Sequence, residues 1–333
     1  MDLRLSNEQE QLVGSFASLY AKHATPERVR EAEPQGFDRT LWELMLEQGV
    51  IDMAVGEQRG GWGASPLDLV LVAEQHGRSI APAPLIEAQV AARALDRVGS
   101  PHLERVLAGE RLVTLALHPC VDGRARGVPA AAVADDAVVW TGDQLLLVPL
   151  DGARSSFENL GSMPSADVVV AGGDVLGSGE DGRASFEAAL DDWLLLTAAA
   201  LVGIGARSLE IGVAYVKERR AFDVAIGSFQ AVAHPLADSA TAVDGARLLT
   251  QEAAWAADDD LGRARELAAL AFAFAGESAR DASYRSLHFH GGYGFMVEYD
   301  IQLYWRRARA WTIVWDEPAA GYRRAADARY GSR

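Results

Sequence analysis

Residues 286–311 read SLHFHGGYGFMVEYDIQLYWRRARAW, and this stretch decides more about the chain than any other. Gly291, Gly292 and Gly294 form a bend between two helix-like segments. His288, Phe289 and His290 lead into the bend, and a run rich in Arg and aromatic residues follows it. Glycine lets a backbone approach a bulky ligand closely and expose its N–H groups. The same residues also suit a plain helix–helix turn, so the bend needs support from elsewhere in the chain.

Two other regions supply that support. Glu218 to Gln230 reads ERRAFDVAIGSFQ, with Arg219, then Phe222 three residues later and Gln230 eight residues after that. Nearer the start stand Trp42, the run Glu47-Gln48-Gly49-Val50, the run EQRGGWG from Glu57 to Gly63 and the run EQHGR from Glu74 to Arg78. In this order the three regions resemble the acyl-CoA dehydrogenase family. Its patterns are W…E-x-G…P-E-x-x-GG-x-G…E-E-x-G-R near the N-terminus, R-x-x-F-G…F-Q further on, and Q-x-x-GG-x-G near the C-terminus. Ordered agreement over most of a chain is hard to obtain by chance.

Composition bounds what the chain can be. Its 333 residues can bury a sizeable core in one or two domains or a multilobed subunit. A hydrophobic content of 49% predicts a soluble globular protein. No apolar run is long enough to span a membrane. The opening MDLRLSNEQEQ is polar and acidic, unlike a secretory signal, so a cytoplasmic protein is expected. Cys120 is the only cysteine, which excludes an intramolecular disulfide and any multi-Cys zinc site. The net charge of −16 repels phosphate backbones and anionic membranes, so neither nucleic acid nor membrane is expected as a partner. It also opposes an anionic cofactor unless local cations override it. Arg219, Arg220, Arg306, Arg307 and Arg309 are the candidates, although most such clusters are solvated helix faces.

Periodicity predicts a mainly α protein with a small β domain. Residues 1–110 read as an N-terminal helical domain. Leu5, Gln9, Leu12, Phe16 and Leu19 or Tyr20 recur at helical spacing behind an N-terminal cap region at Ser6. Further helices are expected over 38–49 with Gly49 as the stop, over 66–79 with Pro66 in the first turn, and over 85–98 and 101–108. Residues 111–184 read as a reduced β domain, with strands expected at 112–117, 137–140, 144–149 and 167–171. Residues 185–333 read as a C-terminal four-helix bundle. It contains a long helix over 193–220 and two more over 229–257 and 262–288. The apolar stripes of these helices are core packing.

The resemblance implies FAD bound between two subunits, with its ADP half reaching a neighbour at the R-x-x-F segment and the glycine loop. Arg219 would pair with the pyrophosphate as a fixed, always-charged fork. Phe222 and Gln230 would line the nucleotide, and Gly291, Gly292 and Gly294 would give backbone access. His288 stands where the family has Gln, and Asp223 stands where it has Gly.

Other departures are larger. Where the family shows A-x-T-E-P followed by G-S-D, the chain reads LALHP from Leu115 to Pro119. Only a short link from Cys120 to Pro129 then precedes the next strand. The family's catalytic glutamate, which takes the α-proton, lies at one of two positions, and alignment puts Trp315 at one and Trp193 at the other. Tryptophan cannot accept that proton. A slip of alignment would make Asp316 or Glu317 the base.

What these features imply together is a non-catalytic subunit, inactive alone. Its partner would be a longer catalytic acyl-CoA dehydrogenase subunit whose FAD site and acyl-CoA substrate the complex shares. The short subunits of actinobacterial α2β2 enzymes acting on steroid side-chain CoA esters are similar. A self-sufficient homomeric dehydrogenase and a flavin-free scaffold are the alternatives. A metal site at His288, His290, Glu298 and Asp300 lacks a defined third-ligand spacing, so no metal is expected. The run GEQRGGWG from Gly56 to Gly63 has no Lys-Ser/Thr after it and reads as a packing turn rather than a phosphate loop.

Overall fold

A computed structural model of the chain describes residues 4–331. Its helices in chain order are α1 (Asn7–His23), α2 (Pro26–Ala32), α3 (Arg39–Glu47), α4 (Pro66–Arg78), α5 (Leu85–Arg97), α6 (Leu103–Leu107), α7 (Gly179–Glu218), α8 (Gln230–Asp259), α9 (Leu261–Phe289), α10 (Ile301–Trp311) and α11 (Pro318–Tyr330). The strands are β1 (Val113–Leu115), β2 (Arg124–Val128), β3 (Asp136–Trp140), β4 (Gln144–Pro149), β5 (Arg154–Ser156), β6 (Ala166–Val169), β7 (Asp174–Ser178), β8 (Arg220–Ala221) and β9 (Val224–Ala225). Helices thus precede and follow one small β region, as expected. The chain folds into two compact units. One comprises Met1–Val29, Pro66–Ala81 and Leu194–Arg333, and the other Arg30–Ser65 and Pro82–Trp193.

Helices alone build the core of the first unit. The expected cap at Ser6 opens α1: its side chain accepts from the Gln9 N–H while the Gln9 side chain accepts from the Ser6 N–H, a reciprocal pair that satisfies two orphan donors. In this unit α4 crosses α7 with backbone against backbone. A Cβ on Gly77 would sit 1.9 Å from the Ala200 carbonyl oxygen, and one on Gly203 would sit 2.1 Å from that of Glu74. The EQHGR run therefore has a packing role. Gly77 permits the crossing, Glu74 pairs with Arg247 of α8 at 3.0 Å, and Arg78 pairs with Glu210 of α7 at 2.6 Å. His76 is buried, stacks on Trp311 and meets the Tyr20 hydroxyl at 3.3 Å. Burial pushes its pKa down to about 3, so it is held neutral. The Ala-rich α8 and α9 lie along one another, and α10 and α11 pack on α9.

In the second unit two small sheets face each other. One has the order β1-β3-β4-β7 and the other β2-β6-β5. Ala137 and Val139 of β3, Leu146 and Val148 of β4, Ala125 and Val128 of β2, and Ala166 and Val168 of β6 fill the space between them. The alternation in β3 and β4 follows the two-residue period of a strand. The opposite face of the first sheet is buried too, where Trp140 stacks on Phe186. The run 57–63 is a tight turn: a Cβ on Gly61 would lie 2.2 Å from the Val55 carbonyl oxygen.

Several boundaries differ from expectation. Five strands were not foreseen, the two-residue β8 and β9 and, in the β region, β2, β5 and β7, of which β2 lies inside the stretch read as a link. Arg124–Val128 has a bulge and no alternation, β5 is exposed on every residue, and β7 carries no buried apolar residue, so none has a hydrophobic period to detect. Helix α7 begins at Gly179, well before the expected Trp193, because its first turns are amphipathic rather than apolar. One stretch of α7 is long and apolar enough to cross a membrane by length and composition, contrary to the sequence reading. It is a core helix, with 78% of that stretch buried inside the protein.

Candidate functional site

Helix α7 ends at Glu218, and Arg219 follows with its N–H still donating to the Tyr215 carbonyl at 2.8 Å. The chain then turns back in the small hairpin of β8 and β9. Arg220 pairs with Ala225 and Ala221 with Val224, leaving Phe222-Asp223 as a two-residue loop. Both loop residues have positive φ, +52° and +63°. Such a loop favours Asn-Gly or Gly-Gly, and Asp tolerates the left-handed region. Phe does not, and holding it there costs on the order of 1–2 kcal/mol. Phe222 is nevertheless 91% exposed, touching the ring of Phe229 edge-on. A strained, outward-facing aromatic is a feature the fold itself does not require. Gln230 follows as the first residue of α8 and is exposed.

The glycine bend stands at the end of α9. That helix runs against α7 closely enough that a Cβ on Gly212 would lie 2.4 Å from the Ser286 hydroxyl oxygen. Beyond this contact the ring of His290 stacks on Tyr215, with centroids 4.0 Å apart and planes at 21°. Tyr215 lies one helical turn before Arg219, and Gly291 follows His290. The two motif segments, with Arg219 and Gly291 72 residues apart in sequence, thus meet at one end of the helical unit.

The three glycines are glycine for different reasons. Gly291 has φ +62°. A Cβ on Gly294 would strike the Leu287 carbonyl oxygen at 2.4 Å. Gly292 has neither constraint, since a Cβ there would meet nothing within 4 Å. His288 is exposed and stacks over Tyr284, whereas His290 is buried. The two rings lie in such different settings that the His-x-His metal reading finds no support. Among the described residues no group of three or more His, Cys, Asp or Glu side chains could hold a metal ion.

Charge at this end of the unit is local and specific. Arg219 is exposed, and among the described residues its guanidinium has no hydrogen-bond or ion-pair partner. Arg220 is tied to the Asp223 carbonyl across the hairpin turn, and Arg306 donates to Gln302 at 2.8 Å. Arg307 is buried, and Arg309 is exposed on α10. An apolar groove of about 520 Å³ runs along α7 past Leu209, Val213, Val216 and Lys217 to Leu236 of α8.

The places expected for a base are also resolved. Trp193 is buried in the second unit, and its neighbour Asp192 is held by Arg93 at 2.9 Å and by Arg97. Burial alone would raise the Asp192 carboxyl, but the two guanidinium groups outweigh it and hold it below the ordinary range. In the first unit Trp315 meets Phe272 edge-on. Asp316 and Glu317 are exposed at the start of α11, and Asp316 accepts the Glu317 N–H at 2.7 Å. Tyr215 and His290 as a pair went unread in the sequence. The signal available was the i, i+4 spacing of Tyr215 and Arg219 and the position of His290 against Gly291.

Helices before and after one small β region are the architecture of acyl-CoA dehydrogenases, and the chain belongs to the acyl-CoA dehydrogenase family. The model of that family's N-terminal domain matches residues 6–108, and that of its C-terminal domain matches residues 180–314. Acyl-CoA dehydrogenase IpdE2 of Mycolicibacterium smegmatis is 31% identical, over 96% of this chain and 98% of that protein. The ChsE4-ChsE5 complex from Mycobacterium tuberculosis contains a chain that superposes with a TM-score of 0.90 at 25% identity, covering 100% of both chains. A chain of the Tcur3481-Tcur3483 steroid acyl-CoA dehydrogenase (G363A variant) gives 0.88 at 27% identity, covering 97% of both.

Proposed function

We propose that this chain is the non-catalytic subunit of a heteromeric, FAD-dependent acyl-CoA dehydrogenase, completing the FAD site of a longer catalytic partner in an α2β2 assembly. The proposed reaction is α,β-dehydrogenation of an acyl-CoA thioester, with a steroid side-chain CoA ester as substrate. FAD, when bound, supplies the two-electron oxidation that this reaction requires. Members of the family are typically FAD-binding. The relatives that support a heteromer are the two-protein ChsE4-ChsE5 complex and the Tcur3481-Tcur3483 enzyme, whose description names a steroid dehydrogenase.

The residues present fit a dinucleotide. A diphosphate asks for a fixed cation and open backbone N–H groups, and in a chain of net charge −16 that cation must be local. Arg219 would hold the pyrophosphate, Phe222 and Gln230 would flank the nucleotide, and Gly291, Gly292 and Gly294 would admit it with His288 at the rim. One observation carries the reading: an unpaired, exposed Arg219 stands at the same end of the unit as a glycine with open space, while tryptophans fill both base positions. Asp316 and Glu317 are assigned no proton transfer. In this reading the chain divides into an N-terminal helical domain over 1–110, a reduced middle β domain over 111–184 and a bundle over 185–333, and it works in the cytoplasm.

Expression settles the matter. The chain made alone is expected to be colourless or poorly soluble, and to become part of a yellow, active complex when made with a longer dehydrogenase subunit. A yellow homomer active on an acyl-CoA would contradict the proposal.

A further inference from the structure

We infer that Tyr215 and His290 are positioning residues that set the spacing between the two halves of the nucleotide cradle, an inference that rests on the FAD reading above. Arg219 sits on the end of one helix, and the glycine loop sits on the end of another. A diphosphate held between them tolerates little drift, because misplacement of about 1 Å can erase the benefit of a positioned group. Something must tie the two ends together.

The Tyr215–His290 stack is placed to do so. Tyr215 precedes Arg219 by one turn, so both project from the same stretch of α7. His290 precedes Gly291 and is held from three sides. Its face lies on Tyr215, with 4.0 Å between centroids. Its edge meets Tyr299 at 6.2 Å and 75°. Its Nδ1 lies 2.7 Å from the Ser286 carbonyl oxygen, which can only accept, so Nδ1 carries the proton. Tyr299 in turn leans on Tyr293, at 5.4 Å, which belongs to the glycine loop itself.

A chain of four rings therefore runs from the Arg219-bearing helix into the loop. Tyr215 is only half-buried, and Tyr293 and Tyr299 are exposed, so core filling does not explain the chain. Close packing of α7 and α9 is already secured one turn lower, at Gly212 and Ser286. What the stack adds is register at the tips.

The test uses the full chain in its assembly with the longer subunit, stripped of FAD. Tyr215→Leu, Tyr215→Phe, His290→Leu and Arg219→Ala assemblies are titrated with FAD and, separately, with ADP, which carries the diphosphate and adenine without the flavin ring. Losing one aromatic pair is expected to weaken both ligands about tenfold in the two leucine variants, with Tyr215→Phe unchanged. The flavin-free assemblies should keep their subunit composition and thermal midpoints.

Wild-type affinity in both leucine variants overturns the inference, as does an equal loss in Tyr215→Phe, which would assign the effect to the phenol rather than the ring face. Should the leucine variants fail to assemble, His290→Phe decides. It keeps a ring against Tyr215 and loses the bond to Ser286, so near-native affinity supports the stack and a tenfold loss refutes it. Arg219→Ala separates the two levels. If it too leaves affinity unchanged, the cradle reading itself fails. If it alone weakens binding, only the positioning role fails.

Discussion

Gly203 and Gly292 are the same residue put to opposite uses. Where α4 crosses α7, Gly203 and Gly77 are glycine because this chain's own backbone occupies the space a Cβ would need. At the end of α9, Gly292 faces open space, and nothing among the described residues demands that it be glycine. A histidine marks each region in the same contrasting way. His76, next to Gly77 in α4, is buried against Tyr20 and Trp311, whereas His288 stands exposed at the loop. The difference separates residues that serve the fold from those proposed to serve a ligand.

The comparison can be broken most easily at the crossing. Gly203→Ala forces α4 and α7 apart and should cost about 3 kcal/mol or more, since overpacking against backbone cannot be relieved by a rotamer change. Thermal unfolding is expected to shift down by roughly 10 °C. A midpoint within a degree of wild type would mean the crossing is not tight.

Arg219→Ala tests the other region. Charge-assisted bonds to phosphate are worth about 1.5–3 kcal/mol, so flavin affinity of the assembly should fall by between about tenfold and a hundredfold while the flavin-free thermal midpoint stays put. Undiminished flavin content in the purified variant would remove Arg219 from the site.

His76 predicts an acid weakness of the helical core. Its folded pKa of about 3 lies below the ordinary value of 6.5, so between those values the unfolded chain binds a proton that the folded chain does not. Stability from this group is therefore complete above pH 6.5 and drains away as the pH falls, by about 1.4 kcal/mol per unit. Urea unfolding at pH 7 and pH 5 should show the decline, and His76→Phe should flatten it. An unchanged slope in that variant would assign the acid sensitivity to other groups.

Smaller effects sharpen the contrast. Gly292→Ala should leave unfolding unaltered within about 0.5 kcal/mol yet weaken FAD binding a few-fold, the reverse of Gly203→Ala. Trp315→Phe keeps a ring against Phe272 and removes no base, so turnover of the complex should remain within about twofold of wild type. A specific loss of turnover, with flavin and fold intact, would relocate the chemistry to this chain.

Much of this was legible in the residues. Ser6 and Gln9 announce the start of α1, Gly49 ends α3, and the pattern of β4 is read to its end residues because apolar positions bounded by Gly and Pro leave a clear trace. Strands β2, β5 and β7 left none, being short, polar or exposed. The first turns of α7 escaped for a related reason: before Trp193 the buried stripe is short, Phe186, Ala189 and Leu190, and the residues around it are polar and interrupted by glycine. At the candidate site, Arg219, Phe222, Gln230 and the glycines stand out individually as candidates. The contact that brings their two segments to one end of the unit does not, because it joins residues 75 positions apart, Tyr215 and His290, and no local pattern records it.

The most direct measurement of the division of labour is the flavin-to-chain ratio of the purified complex. If this chain lends a cradle to its partner's pocket and has no complete pocket of its own, about one FAD per two chains is expected, because only one of the two kinds of site is competent. One FAD for every chain, or a full complement of FAD on this chain in the absence of a partner, would contradict the account.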